Sequence, residues 1–167
     1  LQVFFFSILT AMLFYFSPEV SGQEQSILPS SILEVSGAIS KGNAEGVAHF
    51  DIVELRTLPQ ARLETTTAVT DGVHRFDGVL MRDILAHVGS HGTVVTARAL
   101  NDYAIEFAVE EFDQFDILVA YEMDGKPLLP SEKGPLWIVY PRDQHAELQD
   151  IRFDYRWVWQ LKSLDIR

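Results

Sequence analysis

Gly134-Pro135-Leu136-Trp137-Ile138-Val139-Tyr140-Pro141 is the stretch on which the fold turns. An apolar and aromatic run without a single charge lies between two prolines. Such a short run, bounded by breakers and rich in branched and aromatic side chains, reads as a strand in the middle of a core. Trp137 and Tyr140 are three residues apart, so strand alternation is expected to send them to opposite faces. On that geometry the two are not same-face core residues together. Arg142 follows Pro141 at the exit of the strand, a position where ligands are often met.

Outward from this strand, turn signals divide the chain into further short elements. Ile117 to Met123 and Lys126 to Leu129 flank Asp124-Gly125, the strongest hairpin signal present. Thr93 to Leu100 and Tyr103 to Val109 flank Asn101-Asp102 and form a second expected hairpin. Ile32 to Ile39 alternates apolar and polar residues, and Leu63 to Val69 is threonine-rich and β-prone. Ala44 to Leu58 fits a helix or a strand followed by a helix, stopped by Pro59. Val79 to Val88 has helical spacing and ends at Gly89. Trp157 to Ile166 is expected as the last strand. Many short strands with one or two helices predict an α+β domain with a mixed or mostly antiparallel sheet.

Leu1 to Phe16 is almost wholly apolar and uncharged, too short for a membrane span of roughly 20 residues. With Val20 and Gly22 as small residues ahead of Gln23, residues 1–22 are expected to be a signal peptide. An uncleaved anchor is the alternative. Residues 23–31 read as a flexible leader, and residues 32–167 as one domain with length enough for a proper core. The net charge is −11 over the whole chain. Glu19 is the one charged residue before Gln23, so the remainder is still strongly acidic. Such a surface repels phosphate backbones, and no nucleic-acid partner is expected. The chain contains no cysteine, which excludes disulfides, cysteine-bound metals and a thiolate nucleophile.

The five histidines show neither HxH nor HExxH spacing, and Gly89 breaks any helix that would align His87 with His91. No metal site is expected. There is no GxSxG elbow and no glycine-rich phosphate loop. Two segments stand out. One is the strand already quoted. The other is Ala99-Leu100-Asn101-Asp102-Tyr103, which puts an amide, a carboxylate and an aromatic ring at a strand end. Asn-Asp also suits an ordinary hairpin turn, and that reading stays open.

The order of Phe76-Asp77-Gly78-Val79-Leu80-Met81-Arg82-Asp83-Ile84-Leu85, Ala99 to Tyr103, Leu118-Val119-Ala120 with Asp124 to Leu128, Gly134 to Pro141 and Trp157-Val158-Trp159-Gln160-Leu161 resembles the oxidoreductase molybdopterin-binding domain, with its sulfite-oxidase fold. The resemblance spans about Ile32 to Arg167. Sulfite oxidases hold molybdenum through a cysteine thiolate, which this chain lacks. It looks closer to a small exported subgroup that keeps the fold and binds a simple pterin. The resemblance implies a periplasmic, non-catalytic sensor acting on a membrane-bound cyclic-di-GMP synthase or phosphodiesterase, with no molybdenum. An oxidoreductase with a non-cysteine metal site and a ligand-free scaffold are the alternatives. For a pterin, Asp102 is the candidate acceptor for the amino and ring N–H groups. Asn101 would reach the ring carbonyl or tail, and Arg142 would donate to either. Tyr103, Trp137 or Tyr140 would supply a stacking face.

Overall fold

The computed structural model describes residues 31–167, so the expected signal peptide and nearly all of the leader lie outside the described residues. Among the described residues ten strands form two sheets. In chain order they are β1 (Leu33–Gly37), β2 (Ala48–Phe50), β3 (Gln60–Thr66), β4 (Val73–Leu80), β5 (Val94–Ala99), β6 (Ala104–Ala108), β7 (Leu118–Met123), β8 (Lys126–Pro127), β9 (Trp137–Val139) and β10 (Leu161–Ile166). The first sheet has the order β2-β1-β10-β5-β6, in which only β1 and β10 run parallel. In the second, all antiparallel, β3, β4 and β7 are neighbours, and β8 and β9 both pair with β7. Buried side chains from both sheets join one core, so the expected α+β class with mixed sheets is what the chain adopts.

Local chemistry explains the helices. Asp51 caps α1 (Ile52–Leu55): it accepts from the Glu54 N–H, and the Glu54 carboxylate accepts from the Asp51 N–H in return. The expected mixture over Ala44 to Leu58 is therefore β2 followed by α1. Helix α2 (Met81–His87) starts after β4 and stops before Gly89, whose φ of +65° lies in the left-handed region. Helix α3 (Val109–Gln114) is unforeseen; Glu110 and Glu111 in its first turn complement the helix dipole.

Two expectations need correction. Regular strand does not begin at Trp157 but at Leu161, just after Gln160, whose φ of +53° interrupts the extended backbone. Upstream, Ile151–Arg156 is a 3-10 helix, and Trp157 to Gln160 runs irregularly beside β9, with Ile138 donating to the Val158 carbonyl at 2.9 Å. Nor does alternation divide Trp137 from Tyr140: both are fully buried, Tyr140 lies just past the end of β9, and both rings lie near that of Trp157, at 6.2 and 5.9 Å.

Candidate functional site

The connection from β9 to β10 crosses from the second sheet to the first, and its last third meets the β5–β6 turn. There the Leu100 N–H donates to the Gln160 carbonyl at 2.9 Å. Between them lies a cavity of about 290 Å³. Its walls are mainly aromatic: Tyr103 from the turn, and Tyr155, Trp157 and Trp159 from the connection. Asn101 and Asp154 supply the polar side chains, and Val69 closes one side.

All three tryptophans of the chain belong to this wall or its backing. Trp157 is buried and forms the inner face, its ring 6.2 Å from that of Trp137 and 5.9 Å from that of Tyr140. Trp159 is half-exposed at the rim, and the Lys133 ammonium stands 6.0 Å from its ring centre. The Tyr103 hydroxyl donates to the Tyr155 carbonyl at 2.7 Å and so ties the turn to the 3-10 helix. Two polar atoms of lining residues, Asp154 Oδ1 and Trp157 Nε1, are shielded from solvent and have no hydrogen-bond partner. Such atoms destabilise a fold by about 1–3 kcal/mol each unless something satisfies them.

Arg156 of the same segment is, by contrast, paired. The Arg156 guanidinium pairs with Glu111 and donates to the Tyr140 hydroxyl at 3.2 Å, while Tyr140 donates to Glu111 at 2.6 Å. Burial, reinforced by the Glu111 carboxylate, pushes the Tyr140 phenol far above its ordinary range. Burial works against the Arg156 charge, yet hydrogen bonding to Tyr140 and the field of Glu111 leave the guanidinium more basic than usual.

Of the residues singled out from sequence, Asn101 and Tyr103 line the cavity. Asn101 also shapes the turn, since its Oδ1 accepts from the Tyr103 N–H at 3.1 Å. Asp102 sits at a φ of +64° outside the lining, with its carboxylate toward Lys162 Nζ at 3.1 Å. Trp137 and Tyr140 stand one layer behind Trp157. Arg142 donates to Thr66 Oγ1 at 3.2 Å, away from the lining residues, and its Nε is a further buried atom without a partner. Asp154, Tyr155, Trp157 and Trp159 are not among the sequence candidates. The signal that marks them is Asp154-Tyr155-Arg156-Trp157-Val158-Trp159 itself, where charges alternate with large aromatics just before a strand.

A flat heteroaromatic ring fits this lining of aromatic side chains with one carboxylate and one amide residue. The volume falls near the lower end of small-molecule sites, roughly 300–1,000 Å³. The metal-bearing part of a molybdenum cofactor finds less. The chain has no thiolate to offer, and no group of three or more His, Asp or Glu suited to a metal occurs among the described residues.

The model of the oxidoreductase molybdopterin-binding domain matches residues 41–146, which include Asn101 and Tyr103 but stop short of Asp154 to Trp159. No curated protein matches. Among solved structures, the chain is similar to the sulfane dehydrogenase SoxCD of Paracoccus pantotrophus, at 18% identity and a TM-score of 0.62. The likeness covers 83% of this chain but 38% of that one, and it is a likeness of fold.

Proposed function

Because the chain belongs to the oxidoreductase molybdopterin-binding domain family, we propose that it is a pterin-binding module of the periplasm that works without molybdenum and without turnover. One observation carries this reading: a small cavity walled by Tyr103, Tyr155, Trp157 and Trp159, in a chain with no cysteine to bind the metal. Trp157 and Trp159 would offer stacking faces, and Asn101 and Tyr103 the rim. Trp137 and Tyr140 would back the stacking wall. Asp102, held by Lys162, and Arg142, held on Thr66, would keep the neighbouring loops in place. A bound pterin would supply a redox-active ring; the residues lining this cavity would hold and shield it.

Occupancy would be relayed to the periplasmic domain of a membrane-bound cyclic-di-GMP synthase or phosphodiesterase, as the sequence resemblance implies. Such a relay requires the partner to bind the loaded and empty forms with different affinity. Export through residues 1–22 would bring the domain to that compartment.

The test is protein recovered from the cell envelope, analysed for metals and for pterin fluorescence. Fluorescent pterin at near-stoichiometric level with no molybdenum is the expected result. Stoichiometric molybdenum with consumption of sulfite or a sulfoxide would establish the oxidoreductase instead. A titration of the partner's periplasmic domain with and without pterin addresses the relay, and equal affinity in both would end it.

A further inference from the structure

Each sheet ends in open strands. In the first they are β2, of three residues, and β6, of five; in the second, β3, of seven, has β4 on one side and no strand on the other among the described residues. Such an edge presents a row of backbone N–H and C=O groups to whatever can pair with them. The Thr66 N–H points to that open side, where Asp143 accepts from it at 2.6 Å. Hydrogen-bonding direction alternates along a strand, so the N–H groups of Arg62 and Glu64 point the same way. Both side chains are exposed, while Leu63 between them is buried. Arg62 pairs with Asp77 of β4 at 2.7 Å. Glu64 faces Arg75 in the ladder, but that guanidinium is turned to Asp77 at 3.3 Å, and Glu64 has no ion-pair partner among the described residues.

We propose that the β3 edge pairs antiparallel with the β3 edge of a second copy of this chain, about a two-fold axis at Leu63. That axis sets Arg62 against the partner's Glu64 and Glu64 against the partner's Arg62, so two ion pairs form on the exposed face. It also brings the outward backbone groups of Arg62 and Glu64 opposite one another, the geometry of a hydrogen-bonded pair, twice over. Charges then alternate in one row across the joint: Asp77, Arg62, the partner's Glu64, the partner's Arg75. Charges on an edge strand usually block pairing. A guard of one sign repels its own copy; here the signs are opposite on the two sides of the axis, and a copy is attracted. An axis at Arg62 or at Glu64 would set like charges face to face, so the charge pattern fixes the register. Strand β6 lacks this property, since its central Glu106 would meet itself in the equivalent pairing. No β3 residue lines the aromatic cavity, and the proposal does not depend on what the cavity holds.

The experiment is sedimentation velocity on protein purified from the cell envelope, over a concentration series at low and high salt. A joint of one strand pair is smaller than a standard interface, so a monomer–dimer equilibrium at about 10–100 µM is expected, weaker at high salt. Arg62→Glu is expected to weaken it at least about tenfold, and Glu64→Arg likewise, because each opposes like charges at both positions. Mixed in equal amounts, the two variants are expected to associate with each other within about threefold of the wild-type affinity, since every facing pair is again of opposite sign. Unfolding midpoints report that the variants are folded, and the wild-type series stands without them. A wild type that stays monomeric throughout, a dimer indifferent to salt, a dimer that either single variant leaves intact, or variants that fail to associate when mixed each overturns the proposal.

Discussion

The β7–β8 hairpin and the segment from Ile151 to Gln160 are built from similar residues and could hardly differ more in how they satisfy them. The hairpin turns on Asp124-Gly125, both with positive φ (52° and 75°), as a tight two-residue turn demands. Asp124 accepts from the Arg75 N–H at 3.0 Å and bonds His74 Nδ1 at 2.7 Å. Both oxygens of the turn carboxylate therefore have local partners. In the other segment Asp154 and Arg156 sit two residues apart with opposite fates. Arg156 is bound to Glu111 and Tyr140, whereas Asp154 keeps a shielded oxygen with no donor. The paired Arg156 fixes the segment to the body, and Tyr155, Trp157 and Trp159 line the aromatic cavity. The aromatic lining that Tyr155, Trp157 and Trp159 supply is what directs attention to the β9–β10 connection rather than to the hairpin.

The strongest way to break the contrast is to unpair its paired half. Arg156→Met removes the guanidinium and leaves Glu111 as an uncompensated, largely buried charge. A loss of about 3 kcal/mol in unfolding free energy is expected, at the low end for buried pairs because both side chains retain some exposure. Denaturant unfolding measures it. Replacing Glu111 with Leu in the same background should recover part of the loss, since no stranded charge then remains. Failure of the single variant to destabilise would mean that the wall is held by packing alone.

The sheet next to the hairpin can be stressed in turn. A Cβ on Gly78 would run into the Val119 carbonyl oxygen and the Ala120 Cα, both backbone of the adjacent strand, at the irregularity where β4 and β7 shift register. Gly78→Ala should therefore destabilise by about 1–3 kcal/mol, as overpacking typically does. Pterin affinity should stay within about twofold once the protein is folded, because this interior position of the second sheet is not part of the cavity lining. Thermal unfolding with a parallel titration checks both halves of that statement.

Sequence periodicity recovered the regular region well. Asp124-Gly125 marked its turn, Gly89 marked the end of α2, and the proline-bounded run became β9, because in each case the controlling chemistry is local. The cavity was legible only in part. Asn101 and Tyr103 could be picked out because they flank a hairpin. Trp157 and Trp159 were read as strand, because alternating apolar residues look alike in a strand and in an irregular segment lying along one. What decides between them is the positive φ at Gln160, and glutamine carries no such signal. Asp154 was invisible for a related reason: whether a carboxylate is paired depends on Glu111, more than forty residues away, claiming Arg156 first.

A smaller effect is expected at the cavity rim. Trp159 is half-exposed, with one face toward Lys133. Trp159→Ala should change stability little but remove a stacking face worth about 0.5–1.5 kcal/mol to a flat ligand. Isothermal titration with pterin reads this as a loss of roughly three- to tenfold in affinity. An undiminished affinity would leave Trp157 as the stacking partner by itself.

The smallest effect should be found in the hairpin, and its pH dependence gives it away. The hydrogen bond from the Arg75 N–H, followed by that from His74, holds the Asp124 carboxyl below its ordinary value near 3.8. A carboxyl whose folded value is depressed contributes stability above the unfolded value, and that contribution disappears as pH falls through the folded value. Asp124→Asn should consequently lower stability by a few tenths of a kcal/mol at neutral pH, since the group is exposed and its interactions are screened. Asparagine accepts the left-handed turn conformation, so the backbone contributes little to the difference. On acidification below about pH 4 the wild type should lose its advantage and the two stabilities converge, because both then carry a neutral side chain at this position. Urea unfolding of both proteins at intervals between pH 7 and pH 2.5 follows the convergence. A gap that stays constant across that range would mean that Asp124 acts through turn geometry alone, and that the hairpin owes its order to backbone conformation rather than to its bonded carboxylate.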